Sequence, residues 1–142
     1  MLYGLPSSQI QRLQRVQNSA ARMVTCTKRS DHISGILKDL HWLPVTKRII
    51  FKILLITFKA YTGLAPQYII DLISPYNSLS NSKLRSDNKY LLHPGPRTKT
   101  KFYGDRSFCV ASPNLWNSLP LDIRLSSSVN IFKSKLKTYL FV

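Results

Sequence analysis

The segment from about Val45 to Thr62, VTKRIIFKILLITFKAYT, limits the possible folds more than any other stretch of the chain. At 100° per residue its apolar side chains cover almost the whole circumference of a helix, leaving a narrow charged strip of Arg48, Lys52 and Lys59. Such a helix is stable in water only when neighbours cover it on several sides. It is therefore expected at the centre of the fold, with Gly63 as its C-terminal stop. The longest strongly apolar run, Ile49–Phe58, is broken by Lys52 and closed by Lys59. That is well short of the roughly 18 residues a membrane span needs, so no membrane partner is expected.

The remaining elements follow from the same periodicity. Leu5-Pro6-Ser7-Ser8 supplies a turn and an N-cap for a helix in which Ile10, Leu13, Val16, Ala20, Met23 and Val24 recur as far as about Thr25. Arg12, Arg15 and Arg22 fall on the side away from Leu13, Ala20 and Val24, and Lys28 and Arg29 carry this stripe into the next loop. Ser30-Asp31 caps a short helix bearing Ile33, Ile36, Leu37 and Leu40, which ends before His41-Trp42-Leu43-Pro44 because proline disfavours the helical region for its predecessor. Ala65-Pro66 opens a helix with Tyr68, Ile69, Leu72 and Ile73, halted by Pro75. Asp105 is placed to cap a helix carrying Phe108, Val110 and Ala111, and Pro113–Pro120 reads as a turn-rich stretch anchored by Trp116. Ser126-Ser127-Ser128 caps a terminal helix with Val129, Phe132, Leu136, Tyr139 and Leu140 in one stripe.

Between Ser74 and Lys101, Ser, Asn, Pro and basic residues replace the apolar repeat, the mark of a long loop. The expected fold is an all-α, compact domain of about five to six helices. It divides into an N-terminal helical part (1–76), a basic loop or hinge (77–104) and a C-terminal helical part (105–142) that packs on the first. Leu13, Leu37, Leu40, Trp42, Ile50, Leu54, Phe58, Trp116, Phe132 and Leu136 are expected in the core.

Charge narrows the function. Lys and Arg number 21 against 6 acids, a formal net charge of +15, and every acid is Asp. Helices normally offset surface Lys and Arg with Glu three or four residues away, and this chain has none. Cations left unpaired in this way repel one another in the compact state and are relieved by a polyanion, which for an intracellular chain points to RNA or DNA. The candidate nucleic-acid-binding residues are Arg12, Arg15, Arg22, Lys28, Arg29, Lys83, Arg85, Lys89, Arg97, Lys99, Lys101 and Tyr103. Arg97, Lys99, Lys101 and Tyr103 alternate with Thr98, Thr100 and Phe102, so an extended segment would show three cations and a ring on one face. Tyr90, Phe102 and Tyr103 are interleaved with the cations as in binders of single strands.

Catalysis is not expected. Two-metal polymerase or nuclease chemistry needs converging carboxylates, and these aspartates are scattered singly. No nucleophile-elbow glycine pattern surrounds a serine that could join His32 or His41 and Asp39 in a triad. Cys26, His32, His41, His93 and Cys109 have no zinc-site spacing and read as buried thiols and structural histidines, so neither metal nor cofactor is expected. Two cysteines make no disulfide framework, and no signal peptide is apparent, which fits an intracellular setting.

Several separate motifs carry a resemblance. LQRVQNSAAR (Leu13–Arg22) is followed by LKDLHWLPV (Leu37–Val45), FKILL (Phe51–Leu55), YTGLAP (Tyr61–Pro66), YGDRSF (Tyr103–Phe108), LWNSLP (Leu115–Pro120) and FKSKLK (Phe132–Lys137). In this order, and over essentially the whole chain, they resemble the C-terminal end of LINE-type (non-LTR) retrotransposon reverse transcriptases of the Jockey and chicken-repeat kind. The resemblance implies a non-catalytic region that follows the polymerase thumb and helps hold element RNA or target DNA during target-primed reverse transcription. It also implies a location in the nucleus or a cytoplasmic ribonucleoprotein. A structural brace against the polymerase core of a longer parent protein, or a degenerate transposon fragment, are the alternative readings.

Overall fold

The computed structural model describes residues 2–76, 90–100 and 104–141 and is all-α. The described residues form seven helices: α1 (Ser7–Thr25), α2 (Ile33–Asp39), α3 (Val45–Tyr61), α4 (Gln67–Ile70), α5 (Phe108–Asn117), α6 (Leu121–Arg124) and α7 (Val129–Phe141). Helix α3 is the hub, packing against α7, α5, α1 and α4. It buries Ile53, Leu54, Thr57, Phe58 and Ala60.

Aromatic rings fill the space between α3, α5 and α7. Phe58 stacks on Phe132 with ring centres 4.2 Å apart, and Trp116 closes the triangle at 6.4 Å from Phe58 and 5.9 Å from Phe132. Tyr61 stacks on the outer face of Trp116 at 5.6 Å. Burial, followed by the neighbouring Tyr90, holds the Tyr61 phenol above its ordinary pKa, so the ring stays neutral in this apolar setting. The indole N–H of Trp116 donates to the Tyr90 carbonyl at 2.8 Å, so this fully buried ring leaves no polar atom unpaired. Between α3 and α5 the hydroxyls of Thr57 and Ser112 pair at 2.7 Å with both residues buried.

Four helices open on proline. Pro6, Pro44, Pro66 and Pro120 occupy the N-cap positions of α1, α3, α4 and α6, each with φ near −55° and ψ near 145°. The ring presets φ, and the proline carbonyl accepts the first helical bond, as from Arg48 N–H to Pro44 at 2.9 Å. Proline therefore replaces the side-chain cap expected at Ser7-Ser8, and the N-cap of α2 is His32 rather than Ser30-Asp31; neither Pro6 nor His32 makes a side-chain bond. Asp105 likewise does not cap α5, whose N-cap is Ser107; its carboxylate accepts from the Thr98 hydroxyl at 2.6 Å. The serine cap of α7 is present, Ser128 Oγ accepting from Ile131 N–H at 3.3 Å.

The C-terminal stops of α2 and α3 share one geometry. After α3, Leu64 N–H donates to Lys59 at 2.7 Å and Gly63 N–H to Ala60 at 3.3 Å, with Gly63 at φ +73°. After α2, Trp42 N–H donates to Leu37 at 2.8 Å and His41 N–H to Lys38 at 2.9 Å, with His41 at φ +52°. Both are Schellman stops. Glycine meets this backbone without strain, whereas histidine carries a Cβ there.

The turn-rich stretch expected over Pro113–Pro120 is instead helical as far as Asn117, with Pro113 inside α5. Proline at this position cannot donate to the Cys109 carbonyl one turn back. Gly95 packs against that carbonyl so closely that a Cβ would collide with it, so the strand-like segment covers the point where the ladder is broken. The same segment delivers Leu92 to the core, 1% exposed, and Asn117 pairs with both the N–H and the C=O of Leu92 at 2.9 Å. A single antiparallel bridge between Pro75 and Leu92 joins the two described ends of the basic stretch. Helix α4 ends at Ile70 rather than continuing to Ile73.

Helix α1 departs most from expectation. Its buried positions are Gln17 and Ala21, while Leu13, assigned to the core by its periodicity, is 41% exposed and Val16 is 70% exposed. Leu40, Trp42 and Ile50 are half-buried, and Tyr139 is exposed. The reason is a polar clamp. Gln17 Nε2 donates to the Leu43 carbonyl and Gln14 Oε1 accepts from the Val45 N–H, both at 2.8 Å, so two glutamines of α1 hold the turn that starts α3. Satisfying these groups rotates α1 away from its apolar stripe.

Two outcomes test this account. Gly63→Ala is expected to cost about 1 kcal/mol, and His41→Gly to stabilise by about 0.5–1 kcal/mol, in urea denaturation. Gln17→Leu is expected to lose about 1–3 kcal/mol despite its added apolar surface, because it strands the Leu43 carbonyl; a stabilised variant would refute the clamp.

Candidate nucleic-acid interface

The predicted cations that fall on described residues and stay exposed occupy three places. Arg12 and Arg15 are exposed on α1, and Lys28 and Arg29 are exposed in the turn after its C-terminus. Arg97 and Lys99 are exposed in the segment before α5. Thr98 bonds Asp105, and Gly4 packs against the Arg106 side chain, so that segment lies beside the start of α1. Lys28 and Arg29 follow its other end. At about 1.5 Å per residue, the 19 residues of α1 separate these places by about 28 Å. None of the six side chains forms an ion pair with a described acid, whereas Lys135 meets Asp122 at 2.8 Å.

Arg22 does not belong to the outward stripe. Its guanidinium donates to the carbonyls of Lys28 at 2.5 Å and Asp31 at 2.8 Å, tying the turn after α1 back to the helix. A cation in the last turn also suits the negative end of the helix dipole. Its role is to fix where Lys28 and Arg29 stand. Cys26, at φ +51°, makes the bend between them possible.

Lys83, Arg85, Lys89, Lys101, Phe102 and Tyr103 lie outside the described residues. Tyr90 is 46% exposed, but its ring meets Tyr61 edge-on at 6.4 Å and its carbonyl holds Trp116, so it belongs to the rim of the core. Arg124, not singled out by the sequence, donates to the Leu119 carbonyl at 3.1 Å, and burial lowers its pKa. The expectation of buried thiols is corrected: Cys26 is exposed and Cys109 half-buried. His32, His41 and His93 are exposed, and no three His, Cys, Asp or Glu side chains among the described residues converge as a metal site would require.

The Arg forks among these exposed cations can take phosphate oxygens in pairs, and the Lys side chains supply point charges. Among the described residues no helix is long and apolar enough to cross a membrane.

Arg22→Ala is expected to lower stability by about 1–2 kcal/mol through loss of two charge-assisted bonds. Arg12→Ala and Arg15→Ala should stay within about 0.5 kcal/mol of the parent in the same urea titration. Equal effects at all three positions would contradict the separation of roles. In comparisons with protein-family models, with curated proteins and with solved structures, nothing matches this chain.

Proposed function

We propose that this chain is a non-catalytic module that holds the backbone of RNA or DNA, the accessory role implied by its resemblance to the C-terminal region of LINE-type reverse transcriptases. The observation that carries the reading is three exposed pairs of cations, Arg97 with Lys99, Arg12 with Arg15 and Lys28 with Arg29, without acidic partners among the described residues. The pairs toward the two ends of α1 repel each other weakly across water, and each contact of a cation with phosphate is favoured because it releases condensed counterions. Contacts to phosphate carry no sequence information, so binding without sequence preference is expected.

The test is the salt dependence of oligonucleotide binding by fluorescence anisotropy. Four to six phosphate contacts give a log–log slope of about −3 to −5. The double variant Arg12→Ala/Arg15→Ala is expected to flatten that slope by about 1.4 on single strands and to weaken all sequences alike. An unchanged slope, or a failure of the parent chain to bind in dilute buffer, would overturn the proposal.

A further inference from the structure

Between α1 and α3 lies an open groove of about 650 Å³ whose lining is overwhelmingly apolar. Leu13, Val16 and Ala20 form one wall and Ile49, Ile53 and Ile56 the other. Trp42 stands where α3 begins. Val16 is 70% exposed, and Met23, which helical spacing puts on the same side of α1, is 80% exposed. Apolar residues at three- and four-residue spacing on two adjacent helices make parallel ridges, the surface against which a third helix packs. The clamp by Gln14 and Gln17 keeps this groove open, because α1 cannot rotate its stripe inward without unpairing Leu43 and Val45.

The charge around the groove selects the occupant. Arg48 and Lys52, one turn apart on α3, line it and are exposed, and no acidic residue among the described residues does. A second copy of this chain would bring another +15 to the same place. We propose that the groove is the docking site for an amphipathic helix of a separate partner protein, one with apolar residues at i, i+3 or i+4 and i+7 and with Asp or Glu flanking that stripe toward Arg48 and Lys52. The inference is independent of nucleic-acid binding, since Arg15, Lys28 and Arg29 lie outside the groove lining.

The experiment selects binders to the full chain from a displayed library of helical peptides with randomised apolar and flanking positions. The expected winners converge on the stated apolar spacing with acidic flanks. They are expected to lose at least tenfold in affinity against Val16→Asp, a substitution at an exposed position that leaves the fold intact, and to weaken severalfold against Arg48→Ala/Lys52→Ala. They should bind Arg15→Ala/Lys28→Ala like the parent, which separates groove docking from general attraction of acid to a basic protein. Neutral or basic flanks, or binding indifferent to Val16→Asp, would overturn the inference. So would a parent chain that sediments as a dimer and becomes monomeric with Val16→Asp, or decanoate binding in the groove that the selected peptides cannot displace.

Discussion

The fold depends on removing both long sides of α3 from water at once. Phe58 and its neighbours are covered by α5 and α7 through the stacked Phe132 and Trp116 rings, which lie fully inside. Burial of aromatic rings this large supplies much of the driving force available to a chain of this size. Helices α5 and α7 are placed by that requirement. The strand-like segment through Leu92 is recruited for the same purpose, and Asn117 substitutes for the partner strand it lacks.

Polar groups set the arrangement that apolar burial leaves open. Gln14 and Gln17 satisfy the N–H and C=O of the turn entering α3, and in doing so fix the rotation of α1. The motifs LQRVQNSAAR and LKDLHWLPV thus meet in space at a few hydrogen bonds. A consequence is the apolar groove, which exists because an amide clamp outweighs the burial of Leu13 and Val16. Arg22 serves similarly at the other end of α1, where its two bonds to carbonyls shape the turn that displays Lys28 and Arg29.

Two kinds of surface result, and they differ in how they would be recognised. The exposed cations act over several ångströms and tolerate imprecise geometry, as phosphate binding does. The groove requires a complementary shape and gains from excluded water.

What the sequence determined by itself was the all-α class, the central place of α3, the Gly63 stop and the buried positions Phe132, Leu136 and Leu140 of α7. Each of these depends on residue type and local spacing, which a linear reading contains. Only the tertiary structure decided which face of α1 is buried, that Arg22 turns inward onto its own loop, and that α5 continues through Pro113 under the cover of Gly95. For α1 and α5 backbone groups distant in sequence supply the partner, and for Arg22 the carbonyls of a non-periodic turn do, so the deciding hydrogen bond or contact has no signature in periodicity.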